Sequence, residues 1–328
     1  MTAIAAYPAG RAARDRFVLA RRGPRPVHDP WAPPRVVVDP EPDGHGGRVD
    51  VATVFLTGRE CPWHCAMCDL WQHTIAEDTP AGAIARQVET AVGTLATSVR
   101  AIKLYNAGSY FDPRAVPPAD DLRVARSVGA ARCDRVVVES HPALIGDRCW
   151  AFRDRVAALD VAIGLETVHP GALEAINKGI TVDGVHAAAE GLRAHDVGLR
   201  VFLLVHPPFV PRHEQTAWLE RSVDVAIEAG ARVISVIPTR GGNGTLEALA
   251  ADGQFTPPAI ADLEGAAAAA MRRAAGRAVV LADLWDIDSF ASCPACVTPR
   301  RDRLRRLNLD QRVPEAVACA ACGAVTPA

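Results

Sequence analysis

Arg59-Glu60-Cys61-Pro62-Trp63-His64-Cys65-Ala66-Met67-Cys68-Asp69 follows directly on a strand-like apolar stretch, Val51 to Leu56. The run sets three cysteines in a C-x3-C-x2-C pattern at the end of a strand. Iron–sulfur clusters are ordinarily closed by four Cys ligands, so a compact set of three leaves one iron of a [4Fe–4S] cluster open to an exchangeable ligand. An open iron can do chemistry. Free Cys is often buried simply as a small apolar residue, but three at this spacing behind a strand favour the metal reading.

Outward from this run, short apolar strands alternate with amphipathic helical segments. The strands expected are Val51 to Leu56, Ala101 to Tyr105, Arg135 to Glu139, Val161 to Leu165, Leu199 to Val205 and Val233 to Ile237, with Ala278 to Leu284 extending an edge. Helices are expected over Ala81 to Ala96, Asp120 to Val128, Asp147 to Leu159, Val182 to Ala194, Glu214 to Ala229 and Ala259 to Ala275. Six βα repeats argue for an α/β fold with a parallel sheet, either a partial barrel or a doubly wound open sheet. Both put ligands at the carboxyl ends of the strands. Before the repeats, residues 1–48 are rich in Pro, Arg and Gly, and Pro24, Pro26, Pro30, Pro33, Pro34, Pro40 and Pro42 predict an irregular extension.

With 328 residues, 49% of them hydrophobic, the chain can bury a sizeable core. A formal net charge of −2 excludes an overall polycation but not a local basic patch. Lys103 and Lys178 are the only lysines. No apolar run reaches the ~18 residues of a membrane span, and no signal-peptide apolar region opens the chain, so the expectation is a cytoplasmic protein without a membrane partner. Nine cysteines in a chain this long fit metal ligation in a reducing compartment better than a disulfide framework.

The spacing of Cys61, Cys65 and Cys68 resembles the signature of the radical S-adenosylmethionine superfamily. The resemblance implies a (βα)6 partial TIM barrel from about residue 49 to 288 and a cluster whose fourth iron is chelated by S-adenosylmethionine. It also implies reductive cleavage to a 5′-deoxyadenosyl radical that abstracts hydrogen from a substrate, with electrons from a donor such as flavodoxin or ferredoxin. The superfamily usually carries an aromatic residue where Met67 stands. A thioether can also lie on a ring face, so Met67 is a candidate cofactor contact.

Each expected strand ends in polar or small residues. Asn106-Ala107-Gly108-Ser109 follows the second, and Gly108 permits close approach of backbone to a ligand; the resembling families hold the methionyl amine at such a turn. Glu139 closes the third strand after three valines, and Glu166 closes the fourth. Unpaired buried carboxylates are costly, so two at equivalent strand ends point into the barrel mouth, where S-adenosylmethionine would satisfy them. Asn106, Gly108, Ser109, Glu139 and Glu166 are therefore the expected cofactor contacts. Asn177-Lys178-Gly179 follows a short helix and reads equally as a solvated loop. His206 ends the fifth strand, and the sixth runs into Arg240-Gly241-Gly242-Asn243-Gly244, a glycine-rich loop able to present amides to an anion. His206, Arg240 and Asn243 are the substrate-side, catalytic candidates.

Across Asn106 to Asp112, Val138 to Pro142, Ile163 to Thr167, Asn177 to Gly179 and Leu204 to Pro208, the chain is similar to the radical enzymes of archaeosine formation. More distantly it is similar to the radical domain of the elongator catalytic subunit. That likeness spans about Val51 to Leu263 and implies a modified tRNA nucleoside as substrate, with tRNA as a partner. A small metabolite or peptide is the alternative within the superfamily. A non-enzymatic iron–sulfur or zinc protein of electron transfer or binding is the alternative outside it.

Residues 289–328 form a cysteine-rich tail in which Cys293-Pro294-Ala295-Cys296 and Cys319-Ala320-Ala321-Cys322 read as a four-thiolate site, zinc first and an auxiliary Fe–S cluster second. Between them, Arg300 to Arg306 is a basic helix-like run, either a solvated face or an RNA-phosphate contact. Cys133 and Cys149 are expected to be packing residues.

Overall fold

Alternation along the strands decides which side chains enter the sheet's two faces. The computed structural model describes residues 7–96 and 98–326. Its sheet pairs β1 (Arg35–Pro42), β2 (Arg48–Phe55), β3 (Ala101–Tyr105), β4 (Arg135–Glu139), β5 (Leu159–Glu166), β6 (Gly198–Val205), β7 (Ala231–Pro238) and β8 (Val279–Ala282) in sequence order. β1 is antiparallel to β2, and each later pair is parallel. A doubly wound sheet reverses its order at a switch point. Here every strand pairs with its successor, so the sheet winds one way, as a partial TIM barrel.

The helices are α1 (Arg11–Leu19), α2 (Ala83–Thr94), α3 (Asp121–Ala130), α4 (Asp147–Arg153), α5 (Pro170–Ala175), α6 (Val182–Ala194), α7 (Gln215–Glu228), α8 (Thr245–Ala251), α9 (Ile260–Ala274) and α10 (Val297–Asp310). α4 stops short of the expected Leu159, which instead opens β5. Among the described residues, no helix is long and apolar enough to cross a membrane.

Ile102 and Leu104 of β3, Val136 and Val138 of β4, and Val201 and Leu203 of β6 join one apolar core with Val124, Phe152, Leu192 and Val223 of the helices. Cys133 and Cys149 lie in that core as well. Several of the intervening strand residues are charged and face the lumen. Lys103 of β3 pairs with Glu41 of β1, while Arg200 of β6 lies 3.2 Å from Asp160 of β5 and 3.6 Å from Glu41. Burial opposes ionisation of Glu41, yet Lys103 and Arg200 together hold its carboxyl below the usual range.

Residues 7–48 depart from the irregular extension that their prolines suggested. Arg11 to Leu19 lies between Gly10 and the first proline of the series and is free to wind into α1. Pro40 and Pro42 sit in β1, an edge strand, where a missing N–H is tolerated. β1 turns into β2 through Asp43, whose carboxylate accepts from the backbone N–H of His45 (2.7 Å) and Gly47 (2.9 Å).

Between β8 and β1 the sheet is open, and α10 lies against both. Leu304 and Leu307 enter the main core fully buried. Asn308 exchanges hydrogen bonds with the backbone of Ala282 (N–H to Oδ1 2.7 Å, Nδ2 to O 2.8 Å), and Gln311 does the same with Val280 (2.9 Å each). Two side-chain amides thus continue the ladder where a ninth strand would pair. The basic run 300–306 is only partly a surface. Arg300 and Arg303 are buried on Glu264 of α9 and Arg301 pairs with Asp288, so within this run Arg305 and Arg306 are the exposed arginines.

Candidate functional site

The cysteine loop leaves β2 at the carboxyl end of the barrel and is fixed there by amides from distant loops. Ala66 N–H donates to Ile176 O at 2.9 Å. Asn243 Nδ2 donates to Ala66 O (2.7 Å) and Cys68 O (3.3 Å), while its Oδ1 accepts from the N–H groups of Thr245 and Leu246 at the start of α8, each at 2.9 Å. Asn177 Nδ2 donates to His64 O (3.1 Å) and Asp15 Oδ1 (2.8 Å). Burial pushes the thiols up, Cys61 to about 11 and Cys68 to about 12, with Cys65 well above its ordinary value. A metal's charge is needed to turn such groups into thiolates.

Gly108, after β3, presses against this loop. A Cβ there would lie 3.4 Å from Cys61 Cβ and 3.6 Å from its backbone nitrogen. Asn106 beside it is wholly buried, and neither amide atom has a hydrogen-bond partner. Ser109 Oγ accepts from His141 N–H at 2.9 Å. Trp63 of the cysteine loop stacks on the His141 ring, centroids 3.7 Å apart and planes 10° from parallel. Burial lowers His141 to about 4; its Nδ1 accepts from Ala143 N–H and its Nε2 donates to Lys178 O.

Glu139 and Glu166 end adjacent strands facing Lys178. Lys178 Nζ lies 2.5 Å from Glu166 Oε1, and Glu166 holds φ 66° at a bulge in β5. Burial would lower Lys178, but Glu166 first and then Cys65 hold it above its ordinary range. Glu139 is raised from 4.5 to about 7 by burial, with Lys178 opposing and Glu166 adding. Positive φ also marks Ala107, Asn177 and His206. Such non-glycine strain gathers at functional sites.

The substrate-side candidates each take their own partners. His206 sits 3.5 Å from Asp262 of α9, and Arg240 donates to Asp283 (2.7 Å) and to Trp285 O (2.5 Å) beside a 420 Å³ cavity that also takes in Asp69 and Phe290. Asn243 supports the cysteine loop, as above. In its glycine-rich loop, Gly242 N–H donates to Glu247 Oε1 at 2.5 Å, and Gly244, φ 76°, makes room for Arg21 O, which a Cβ would approach to 2.1 Å. Met67 packs between two small apolar clusters that include Ile176, Phe209 and Leu249. Sequence reasoning left Lys178 undecided, though its rarity was the available signal. It gave no signal for α1, whose flanking Tyr7 donates to Ala175 O (2.6 Å) and whose Asp15 meets His64.

The donor set fits the three-thiolate cluster. One buried and two half-buried thiols, the Gly108 turn in contact with Cys61, an orphaned buried amide and two acids beside one lysine form a mouth able to receive a polar, cationic ligand. The fold that carries this site is a partial TIM barrel. Specifically, the chain superposes on SuiB of Streptococcus suis bound to its precursor peptide SuiA with a TM-score of 0.50 at 14% identity, covering 69% of this chain and 47% of that one. No family model matches the chain. It is 27% identical over 226 residues to archaeosine synthase subunit beta of Methanosarcina acetivorans (65% of each chain). It is 26% identical over 204 residues to an uncharacterized protein of Methanocaldococcus jannaschii, covering 59% of this chain and 56% of that one. The chain spans less than two thirds of the length of these curated relatives.

Proposed function

We propose that this chain is a radical S-adenosylmethionine enzyme, with Cys61, Cys65 and Cys68 as ligands of a [4Fe–4S] cluster and S-adenosylmethionine at the lumen mouth. The observation that carries this reading is the wholly buried, unpartnered amide of Asn106 next to Gly108 and the cysteine loop. Leaving such a group unsatisfied costs about 1–3 kcal/mol, which a polar ligand would recover. When bound, the two cofactors would supply one-electron cleavage to a 5′-deoxyadenosyl radical and hydrogen abstraction from substrate.

The chain's own residues bind and orient. Asn106 offers a donor and an acceptor, and Gly108 leaves room for close approach. Glu139 offers a carboxyl that can change protonation near neutrality, so it can answer a cationic ligand by ionising. Lys178 holds Glu166 in place and brings positive charge to Cys61 and Cys65. The neutral His141 ring on Trp63 stiffens the loop's first half.

The substrate class favoured is a modified nucleoside, supported by the likeness to the relative named archaeosine synthase subunit beta. A tRNA carrier, a flavodoxin- or ferredoxin-type electron donor and a cytoplasmic setting complete the proposal. Anaerobically reconstituted protein given dithionite and S-adenosylmethionine should release 5′-deoxyadenosine, and Cys65→Ala should abolish the release. No release from protein of full iron content would refute the assignment. RNA nucleosides compared with and without the protein test the substrate class: an unchanged nucleoside profile counts against it.

A further inference from the structure

The four C-terminal thiols form a second centre of a different kind. Cys293 Sγ lies 4.0 Å from Cys319 Sγ and Cys296 Sγ 3.9 Å from Cys322 Sγ, with all four within 4.8 Å of one another. Thiolates at ~2.3 Å around one tetrahedral ion stand ~3.8 Å apart. A cubane places each thiolate on a different iron and spreads the sulfurs further. Among the described residues, this is the one group of three or more Cys, His, Asp or Glu side chains that converges so tightly; Cys61, Cys65 and Cys68 do not.

What the group is joined to suggests its use. Cys296 is the N-cap of α10, and Arg300 N–H donates to Cys296 O at 3.1 Å, so one thiol pair is continuous with the helix that covers the seam. The other pair sits in a hairpin turn: Cys319 N–H donates to Ala324 O (2.9 Å), Gly323 N–H to Cys319 O (2.8 Å), and Ala318 bridges Val325. That hairpin is largely exposed and has almost no apolar core of its own. α10 meanwhile carries the Asn308 and Gln311 amide ladder and the Arg300–Glu264 pair.

We propose that Cys293, Cys296, Cys319 and Cys322 bind a single tetrahedral divalent ion of zinc type, which clamps α10 across the open seam between β8 and β1. The ion's task is barrel closure. It ties the start of the helix to the chain's last hairpin, and the side-chain amides on the helix protect the unpaired edge of β8. This assignment stands independently of the radical chemistry.

The test uses the full holo chain. Metal analysis should find one zinc per chain in addition to the iron of the N-terminal cluster, and cobalt(II) exchanged into the site should show the visible absorption of a tetrahedral tetrathiolate. The double substitution Cys319→Ser and Cys322→Ser should lose zinc and keep iron. Removing the ion from the unmodified chain with a chelator should speed amide hydrogen exchange in β8 and α10 roughly tenfold or more, leaving β4 and β5 unchanged. Asn308→Ala with Gln311→Ala, which leaves all four thiols in place, serves as a second arm: it should keep zinc and still expose β8. Iron in place of zinc at the tail, native disulfides among these four cysteines, or unchanged β8 exchange after metal removal would each overturn the proposal.

Discussion

Asn243 shows how one side chain can hold a site together without touching its chemistry. Its amide NH2 caps two carbonyls of the cysteine loop and its oxygen caps α8. Asn243→Asp keeps the acceptor but sets a carboxylate against Ala66 O and Cys68 O. The expected loss is about 1–3 kcal/mol of stability, read as a lowered urea midpoint, together with reduced iron retention after reconstitution; wild-type iron content would refute the positioning role. The sequence placed Asn243 in a glycine-rich loop but not under the cysteines, because its partners are backbone atoms that leave no trace in side-chain pattern. Glu139 was legible, an acid after three valines, and its protonation carries a signed prediction. Burial raises its carboxyl from 4.5 to about 7, with Lys178 opposing and Glu166 adding. An acid that holds its proton more tightly when folded contributes full stability below about pH 4.5 and loses it as pH rises through 7. Glu139→Gln cannot ionise, so in the metal-free chain it should gain on wild type between pH 5 and pH 8 by at most about 3 kcal/mol, lumen water screening part of it. Equal differences at the two pH values in urea unfolding would contradict this.

Among the elements, β3 and β4 match their sequence-based limits because each is a short apolar run between turn residues. α1 and β1 do not, since prolines around them mask a nine-residue helix and an edge strand whose one free side tolerates proline. α10 was read from its arginines as a basic surface. The structure buries Arg300, Arg303, Leu304 and Leu307, and no periodicity argument marks a buried Glu264 on another helix as their partner. Leu307→Ala should therefore behave as a core truncation, costing about 2–5 kcal/mol in thermal or urea unfolding. A cost below about 0.5 kcal/mol, as on a solvated face, would show that α10 does not seal the barrel.

Across the whole molecule, the strands sort their residues by face: apolar ones under the helices, charged ones in the lumen. An ordinary TIM barrel fills its interior with branched apolar side chains. This one carries the ion-paired Lys103, Glu41, Arg200 and Asp160 inside. The barrel and its cysteine loop were legible from local pattern, whereas the closure by α10 and the packing of α1 on the cysteine loop were not, because both depend on contacts between residues far apart in the chain. Gly164 tests the barrel's mouth. A Cβ there would meet Lys178 Nζ at 2.2 Å and Glu166 Oε1 at 2.3 Å, so Gly164→Ala must displace that ion pair. S-adenosylmethionine binding, measured by equilibrium dialysis, should weaken roughly tenfold or more, since one lost charge-assisted contact is worth about 1.5–3 kcal/mol; unchanged affinity would place the ligand elsewhere. The central claim is an iron left open by Cys61, Cys65 and Cys68 at this mouth, and electron paramagnetic resonance of the anaerobic, dithionite-reduced protein tests it directly. A [4Fe–4S] signal whose g-values shift on adding S-adenosylmethionine, and which vanishes in Cys65→Ala, is predicted; a signal indifferent to S-adenosylmethionine, or none at all from these three cysteines, would contradict it.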